Sequence, residues 1–384
     1  MIDRAAAVLP GQRGTDPLPT PGDATSWRST TGRGWLSGQV QDRLSTFLTE
    51  KTRQLGTIAG DLDEPMLALT DLLAGGKRLR PAFLYWGWRA TGSARPEETD
   101  RVVAAAAALE LLQASALIHD DVMDGSETRR GLPATHRRFA VLHRSAAWAG
   151  SPEAFGTGAA ILLGDLCLSW SDEMLRRCGL PADRLLPAMR LFDDMRTEVI
   201  AGQYLDLVEQ AVGGSSVQRA LRVVRFKSAK YTIERPLHVG AVLAGAGREL
   251  LDPLSDYGLP LGEAFQLRDD VLGVFGDPAA TGKPAGDDLR EGKRTVLVAH
   301  AAAQATTAQS AVLRRYLGDP ALSASGVAAL REVIVATGAL DAVEAMVGEL
   351  TDQAVAALDR ATVADPDARD ALRELADAVT RRAA

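Results

Sequence analysis

The sequence predicts an all-α protein, and three observations lead there. From Trp35 onward apolar residues recur at helical spacing, beginning with Leu36, Val40, Leu44, Phe47 and Leu48. Strand-type alternation is scarce, and the abundant Ala, Leu, Arg and Glu favour helix. One such pattern follows another to the C-terminus, separated by Gly/Pro turns and without a fixed repeat length.

Taken in order, residues 1–34 are rich in Gly, Pro, Thr, Ser and Ala, lack periodicity, and read as a disordered tail. Its apolar spots, residues 5–10 and Trp27, suit a docking tag for a partner such as a protein shell. Residues 35–384 read as one helical domain of about a dozen helices. Breaks are expected near residues 92–96, 131–133, 149–158, 179–181, 213–216, 245–253 and 275–286. With 46% hydrophobic residues in 384, there is apolar material for a large core.

The net charge of −7 argues against a nucleic-acid binder, which usually carries a basic patch. The longest apolar stretch, residues 102–118, contains Glu110 and Gln113 and reads as too short and polar for a transmembrane segment. The N-terminus shows no hydrophobic region typical of a signal peptide. Two cysteines, Cys167 and Cys178, suggest neither a disulfide framework nor a zinc site. A soluble cytoplasmic protein is the expectation.

The chemistry sits in two similar segments. Residues 116–124 and 265–273 each place an Asp-Asp pair after an apolar helix. Asp120, Asp121 and Asp124 stand at i, i+1 and i+4, so two of them share a helix face. Three carboxylates at a helix C-terminus repel one another and the macrodipole, which cations must offset. Such hard oxygen ligands suit Mg²⁺, which takes one or two carboxylates plus phosphates and water. Asp269 and Asp270 form the second cluster, with Asp277 and the pair Asp287 and Asp288 downstream. Asp193–Asp194 reads as a solvated surface step.

Cations complete the pattern. Lysine occurs six times in the chain, so a Lys where Arg would serve hints at a specific role. Gly75-Gly76-Lys77-Arg78-Leu79-Arg80-Pro81 packs three cations into a turn, and Arg129-Arg130-Gly131 follows the first carboxylate cluster. Glycine lets backbone N–H groups approach an anion, and Arg grips phosphate with two donors. Lys227, Lys283 and Lys293 lie among polar or Gly-rich neighbours. Opposed carboxylates, divalent metals and scattered cations are what binding two diphosphates requires.

These segments, together with Gly202-Gln203-x-x-Asp206 and Phe265-Gln266-x-x-Asp269-Asp270, resemble the trans-isoprenyl diphosphate synthase (polyprenyl synthetase) family over residues 60 to 300, in the family's order. The resemblance implies an isoprenoid synthase-type bundle of mainly antiparallel helices around a central cavity, usually a homodimer. It implies a Mg²⁺-dependent condensation of isopentenyl diphosphate with an allylic diphosphate. Asp120 and Asp124 match the ligands of two Mg²⁺ with Asp121 in support, and Asp269, beside Asp270, matches the ligand of a third. Lys77, Arg80, Gln113 and Arg130 match the grip on isopentenyl diphosphate. Arg129, Lys227, Gln266, Lys283 and Lys293 match the grip on the allylic diphosphate, and Gln203 and Ser228 match further active-site positions. Arg78 receives no role, and the five histidines read as structural. One departure stands out: Gly273 replaces the usual third Asp of the second motif.

In this family a bulky aromatic four or five residues before the first cluster stops chain growth. Here Ser115 and Ala116 are small, and Leu112 is the first bulky candidate on that face. Geranylgeranyl diphosphate is the expected product, with a farnesyl or a longer product as alternatives. A class I terpene cyclase is the nearest rival, but the sequence lacks Asn and any second cyclase-type metal motif. A non-catalytic partner subunit is another; Gly273 is its support.

Overall fold

The computed structural model describes residues 30–213, 216–276 and 286–381. Most of the expected tail with its docking spots, as well as Asp277 and Lys283, lies outside the described residues.

The order is α1 (Thr30–Gly56), α2 (Asp63–Leu73), α3 (Leu79–Ala90), α4 (Thr99–Asp124), a hairpin of β1 (Thr128–Arg129) and β2 (Leu132–Pro133), α5 (Thr135–Ser145), α6 (Pro152–Arg176), α7 (Ala182–Val212) and α8 (Val217–Val223). A π-helical segment (Val224–Glu234) runs into α9 (Arg235–Leu243), followed by α10 (Arg248–Phe275), α11 (Asp287–Arg290), α12 (Val296–Gln304), α13 (Thr307–Tyr316), α14 (Ala324–Ala336), α15 (Ala339–Arg360) and α16 (Pro366–Thr380). Helix α1 takes in the last five residues of the stretch expected as tail.

Helix α4 is the central rod. Ala105, Ala106, Ala107 and Ala108 are fully buried, which lets α6, α3 and α1 approach it closely. By length and apolarity alone, α4 with the turn before it and α6 would each cross a membrane. The apolar stretch of the first is 72% buried inside the bundle and that of the second 39%. The larger core gathers α1–α7, α9, the first half of α10, the end of α15 and α16, and a smaller one joins the second half of α10 to α11–α14 and the start of α15.

Two expected breaks are helical. Helix α6 starts at Pro152, where Ser151 caps it by accepting from the Ala154 N–H at 3.2 Å, and it runs through Gly156 and Gly158. Gly156 serves packing instead: a Cβ there would lie 2.1 Å from the His136 carbonyl of α5. Helix α10 likewise starts at Arg248 and carries Pro253 and Pro260 inside it. Burial of Leu254, Tyr257 and Leu261 outweighs the hydrogen bonds those prolines forgo.

The π-helical segment was not foreseen. It is clamped between α7 and α10 by two glycines. A Cβ on Gly202 would lie 2.3 Å from the Lys227 backbone nitrogen, and one on Gly262 would lie 2.6 Å from the Ala229 Cα. Insertions of this kind re-aim side chains and often mark functional sites.

Candidate active site

Helices α3, α4, α7 and α10 and the π-helical segment surround one cavity of about 1380 Å³. Its wall takes Asp120 from α4, Gln203 and Asp206 from α7, Lys227, Ser228 and Tyr231 from the π-helical segment, and Gln266, Asp269 and Asp270 from α10. The two carboxylate motifs, far apart in sequence, thus face a common space.

On the α4 side, Asp120 accepts from Gln203 Nε2 at 3.1 Å and Lys227 Nζ at 3.2 Å, with Arg129 3.7 Å away. Burial opposes its charge, but Lys227, Lys293 and Arg129 together hold its carboxyl well below the usual range. Asp121 is 2% exposed, off the cavity wall, and gripped by Arg129, whose Nε donates to its two oxygens at 2.9 and 3.2 Å. Arg129 is fixed by a two-residue turn. Arg130 and Gly131 both have positive φ (55° and 76°), as a type I′ hairpin between β1 and β2 requires.

Asp124 also lies off the wall. Its side chain is 1% exposed, 3.2 Å from Lys293 Nζ, yet neither carboxylate oxygen has a partner in hydrogen-bonding geometry. Burial and then Asp120 push its carboxyl up to about 6, against the pull of Lys293. Lys293 reaches Glu291 at 2.8 Å and Asp288 at 3.5 Å besides. Burial works against its charge, but these carboxylates raise its ammonium well above the ordinary range. Lys227 is likewise raised despite burial, because it lies between Asp120 and Asp206, the latter at 2.6 Å.

The α10 side differs. Asp270 is buried and accepts from Gln266 Nε2 at 2.8 Å, so Gln266 holds its neighbour one turn on. Burial pushes the Asp270 carboxyl up to about 8, with Asp288 and Asp269 adding to the rise. Both line the cavity, and Asp269 is the more exposed of the two.

Lys77, Arg78 and Arg80 of the glycine-rich loop all line the cavity. Arg80 Nη2 donates to Thr232 Oγ1 at 2.8 Å, and its guanidinium carbon lies 4.2 Å from the centre of the Tyr231 ring. The Tyr231 hydroxyl in turn donates to Gln113 at 2.8 Å, which orients that amide in the cavity. Arg78 is the structural member. It is buried in a left-handed conformation, paired with Glu110, and donates to Gln41 at 2.6 Å. Arg130 is off the wall; its Nη1 donates to the carbonyls of Leu72 at 2.7 Å and Gly75 at 2.6 Å, which ties down the loop. Leu112, Ser115 and Ala116 line the apolar part with Leu36, Tyr85 and Trp86. His119 is on the wall too, held at 3.2 Å from the Ile161 carbonyl.

Sequence reasoning missed Tyr231, Thr232 and Glu291. The first two had no signal, because a π-helical turn shifts which residues share a face. Glu291 follows a noted Asp pair closely, and that was the available signal.

The donor set fits Mg²⁺. Asp124 offers two buried oxygens without hydrogen-bond partners, next to Asp120. Among the described residues no three His, Cys, Asp or Glu side chains form a ready cage. Mg²⁺ is typically held by one or two carboxylates, with phosphates and water filling its octahedron.

Residues 63–334 match the family described as Polyprenyl synthetase. The chain is 33% identical over 315 residues to a geranylfarnesyl diphosphate synthase of Aeropyrum pernix, covering 80% of this chain and 91% of that protein. It is 30% identical over 311 residues to a geranylgeranyl diphosphate synthase of Saccharolobus solfataricus, covering 80% and 87%. Its structure resembles a geranylgeranyl pyrophosphate synthase from Corynebacterium glutamicum, solved with isoprenyl diphosphate and magnesium. The TM-score is 0.86 at 44% identity, covering 91% of this chain and 99% of that one. With the two aspartate motifs on one cavity and a family match over most of its length, this chain belongs to the polyprenyl synthetase family and is a prenyltransferase of the isoprenyl diphosphate synthase type.

Proposed function

We propose that the chain joins isopentenyl diphosphate to an allylic diphosphate in a Mg²⁺-dependent reaction and stops at geranylgeranyl diphosphate. The observation that carries this reading is that Asp120 and Asp269 line one cavity with Lys77 and Arg80, so carboxylates and a separate cationic loop address two diphosphates. Asp120, Asp124 and Asp269 would hold the metal, three ions by the family pattern, and Mg²⁺ would supply positive charge to the departing diphosphate.

The chain's own residues do the rest. Lys227 and Lys293 lie where negative charge develops as the allylic C–O bond breaks. Lys77, Arg80 and Gln113 hold isopentenyl diphosphate so that its double bond meets the allylic carbon. A new C–C bond forms, and the proton lost from the adjacent carbon passes to the released diphosphate. Arg129 acts through Asp121 and Asp120, Arg130 through the loop carbonyls, and Gln266 through Asp270.

Product length rests on the wall residues. Ser115 and Ala116 leave the cavity open past the first motif, and Leu112 is the next bulky side chain one turn on. Each turn adds about 5.4 Å of depth, close to one isoprene unit. Products from labelled isopentenyl diphosphate and each starter, with and without Mg²⁺, test the proposal. A twenty-carbon main product is expected; farnesyl diphosphate as the end point would refute it. Ser115→Phe is expected to shift the product to fifteen carbons or fewer, and an unchanged distribution would remove the floor argument. Incubation with geranylgeranyl diphosphate alone should release no hydrocarbon, as a cyclase would.

We also propose a homodimer. Phe155, Ile161 and Leu162 leave an exposed apolar strip on α6, the kind of surface a second copy covers. Light scattering at the monomer mass would reject it.

A further inference from the structure

One cation on the cavity wall has no part in the reaction described above. Arg196 lines the cavity from α7, whereas most other charged wall residues gather at the two aspartate motifs, the glycine-rich loop and the start of α12. Its depth follows from the helices around it. Helix α7 meets the first motif at Gln203, 3.1 Å from Asp120, and α6 meets it at Ile161, whose carbonyl is 3.2 Å from His119. Arg196 precedes Gln203 by seven residues and Leu168 follows Ile161 by seven, each about 10 Å of helix. Leu112 precedes Asp120 by eight residues, about 12 Å. All three line the cavity, so α4, α6 and α7 bring them to one level at its apolar end.

The guanidinium is paired across that end. Arg196 Nη2 lies 3.5 Å from Asp172 Oδ1, one turn beyond Leu168 on α6, and also pairs with Asp193, one turn back on α7. Asp172 accepts from Arg176 Nε at 2.7 Å besides. The guanidinium carbon of Arg196 lies 5.1 Å from the centre of the buried Phe192 ring. The side chains of Arg196 and Asp172 are 24% and 25% exposed, so both charges are largely withdrawn from water. An ion pair therefore ties α6 to α7 just past the level of Leu112.

We propose that the Arg196–Asp172 pair is a charged stop for the growing prenyl chain, and thus a determinant of product length. An alkyl end that pushes past Leu112 gains by burying each further methylene. To go on, it must strip the remaining water from an ion pair or pry the pair apart, and either is costly. A leucine floor can yield by changing rotamer, but a paired charge offers an alkyl chain nothing in any rotamer. Leu112 slows growth at its own level, and the ion pair beyond it ends growth. The inference deepens the proposed function and rests on its reading of the cavity as the site of chain growth.

The test analyses products from geranyl diphosphate and excess labelled isopentenyl diphosphate with Mg²⁺, using the full chain. Arg196→Met keeps length and removes charge, Arg196→Lys keeps the charge, and Arg196→Met with Ser115→Phe closes the cavity nearer the motif. In Arg196→Met, the ratio of the product one isoprene unit longer to the wild-type product should rise about tenfold or more. Arg196→Lys should stay within about threefold of the wild-type ratio. The double variant should make the same short product as Ser115→Phe alone. An unchanged ratio in Arg196→Met overturns the proposal, because a merely structural ion pair would lower kcat or the melting temperature without lengthening the product. Lengthening in Arg196→Lys equal to that in Arg196→Met overturns it too, since charge would then not be the stop. If Arg196→Met does not fold, Arg196→Gln decides by the same criterion. A wild-type chain that stops at farnesyl diphosphate overturns the underlying reading as well. A twenty-carbon wild-type product with an unmoved ratio in Arg196→Met overturns this inference alone.

Discussion

The two aspartate motifs look alike in sequence and sit in opposite electrostatic settings. On the α4 wall, Asp120 is surrounded by Lys227, Lys293 and Arg129 and stays ionised in spite of burial. On the α10 wall, Asp270 is buried beside Asp269 and Asp288, takes its hydrogen bond from neutral Gln266, and is raised to about 8. The first motif ends its helix at Gly125, while α10 continues past the second to Phe275. The same Asp-Asp pair therefore yields a carboxylate held ionised by cations in one place and one that burial favours as the neutral acid in the other. Cations from distant segments, more than the motif, decide which carboxylate is charged.

The largest effect should come from breaking the α4 wall. Asp120→Asn removes a carboxylate with four polar neighbours and is expected to lower kcat/KM about 10³-fold, the equivalent of roughly 4 kcal/mol of transition-state stabilisation. Incorporation of labelled isopentenyl diphosphate measures it; a loss under tenfold would show that this wall is not the metal side.

The next comparison is within α10. Asp269→Asn should cost about 10²-fold, whereas Asp270→Asn, an isostere of a carboxyl already neutral below about 8, should cost less than about tenfold. Equal losses would mean that Asp270 is ionised and exposed to the ion when substrate binds.

The pH dependence separates the walls further. With its carboxyl raised to about 6, Asp124 must lose a proton before it can bind a cation. Mg²⁺ affinity should be full above about pH 6 and fall as pH drops through that value, up to tenfold per unit. A binding curve flat from about pH 7.5 to 5 would remove Asp124 from the ligand set. Smallest of all, Gln203→Leu should lower kcat/KM about tenfold or less, because it deletes one hydrogen bond to the Asp120 carboxylate. A larger loss would indicate that Gln203 contacts substrate itself.

Much of this was readable beforehand. The helical class, the chain break near residues 131–133, and the gathering of Asp120, Lys77, Arg80, Gln113, Gln203, Lys227, Asp269 and Lys293 around one cavity follow from local patterns and ordered motifs. Arg78 was not readable, because Lys77, Arg78 and Arg80 look equivalent until a left-handed turn buries one of them against Glu110. Nor were Tyr231 and Thr232, since π-helical winding changes the face that a given spacing selects. The helical paths through Gly156 and Pro253 escaped because turn-forming residues were judged without knowing what packs against them.

Local chemistry thus specified the helices, the acidic and basic motifs, and the kind of ligand they attract, because those depend on neighbours within a few residues. Which carboxylates carry charge, which arginines face the cavity and which support it depend on groups brought together from tens to hundreds of residues away. Burial and Coulombic pairing act through space, so only the folded arrangement of α4, α7, α10, α11 and the π-helical segment settles them.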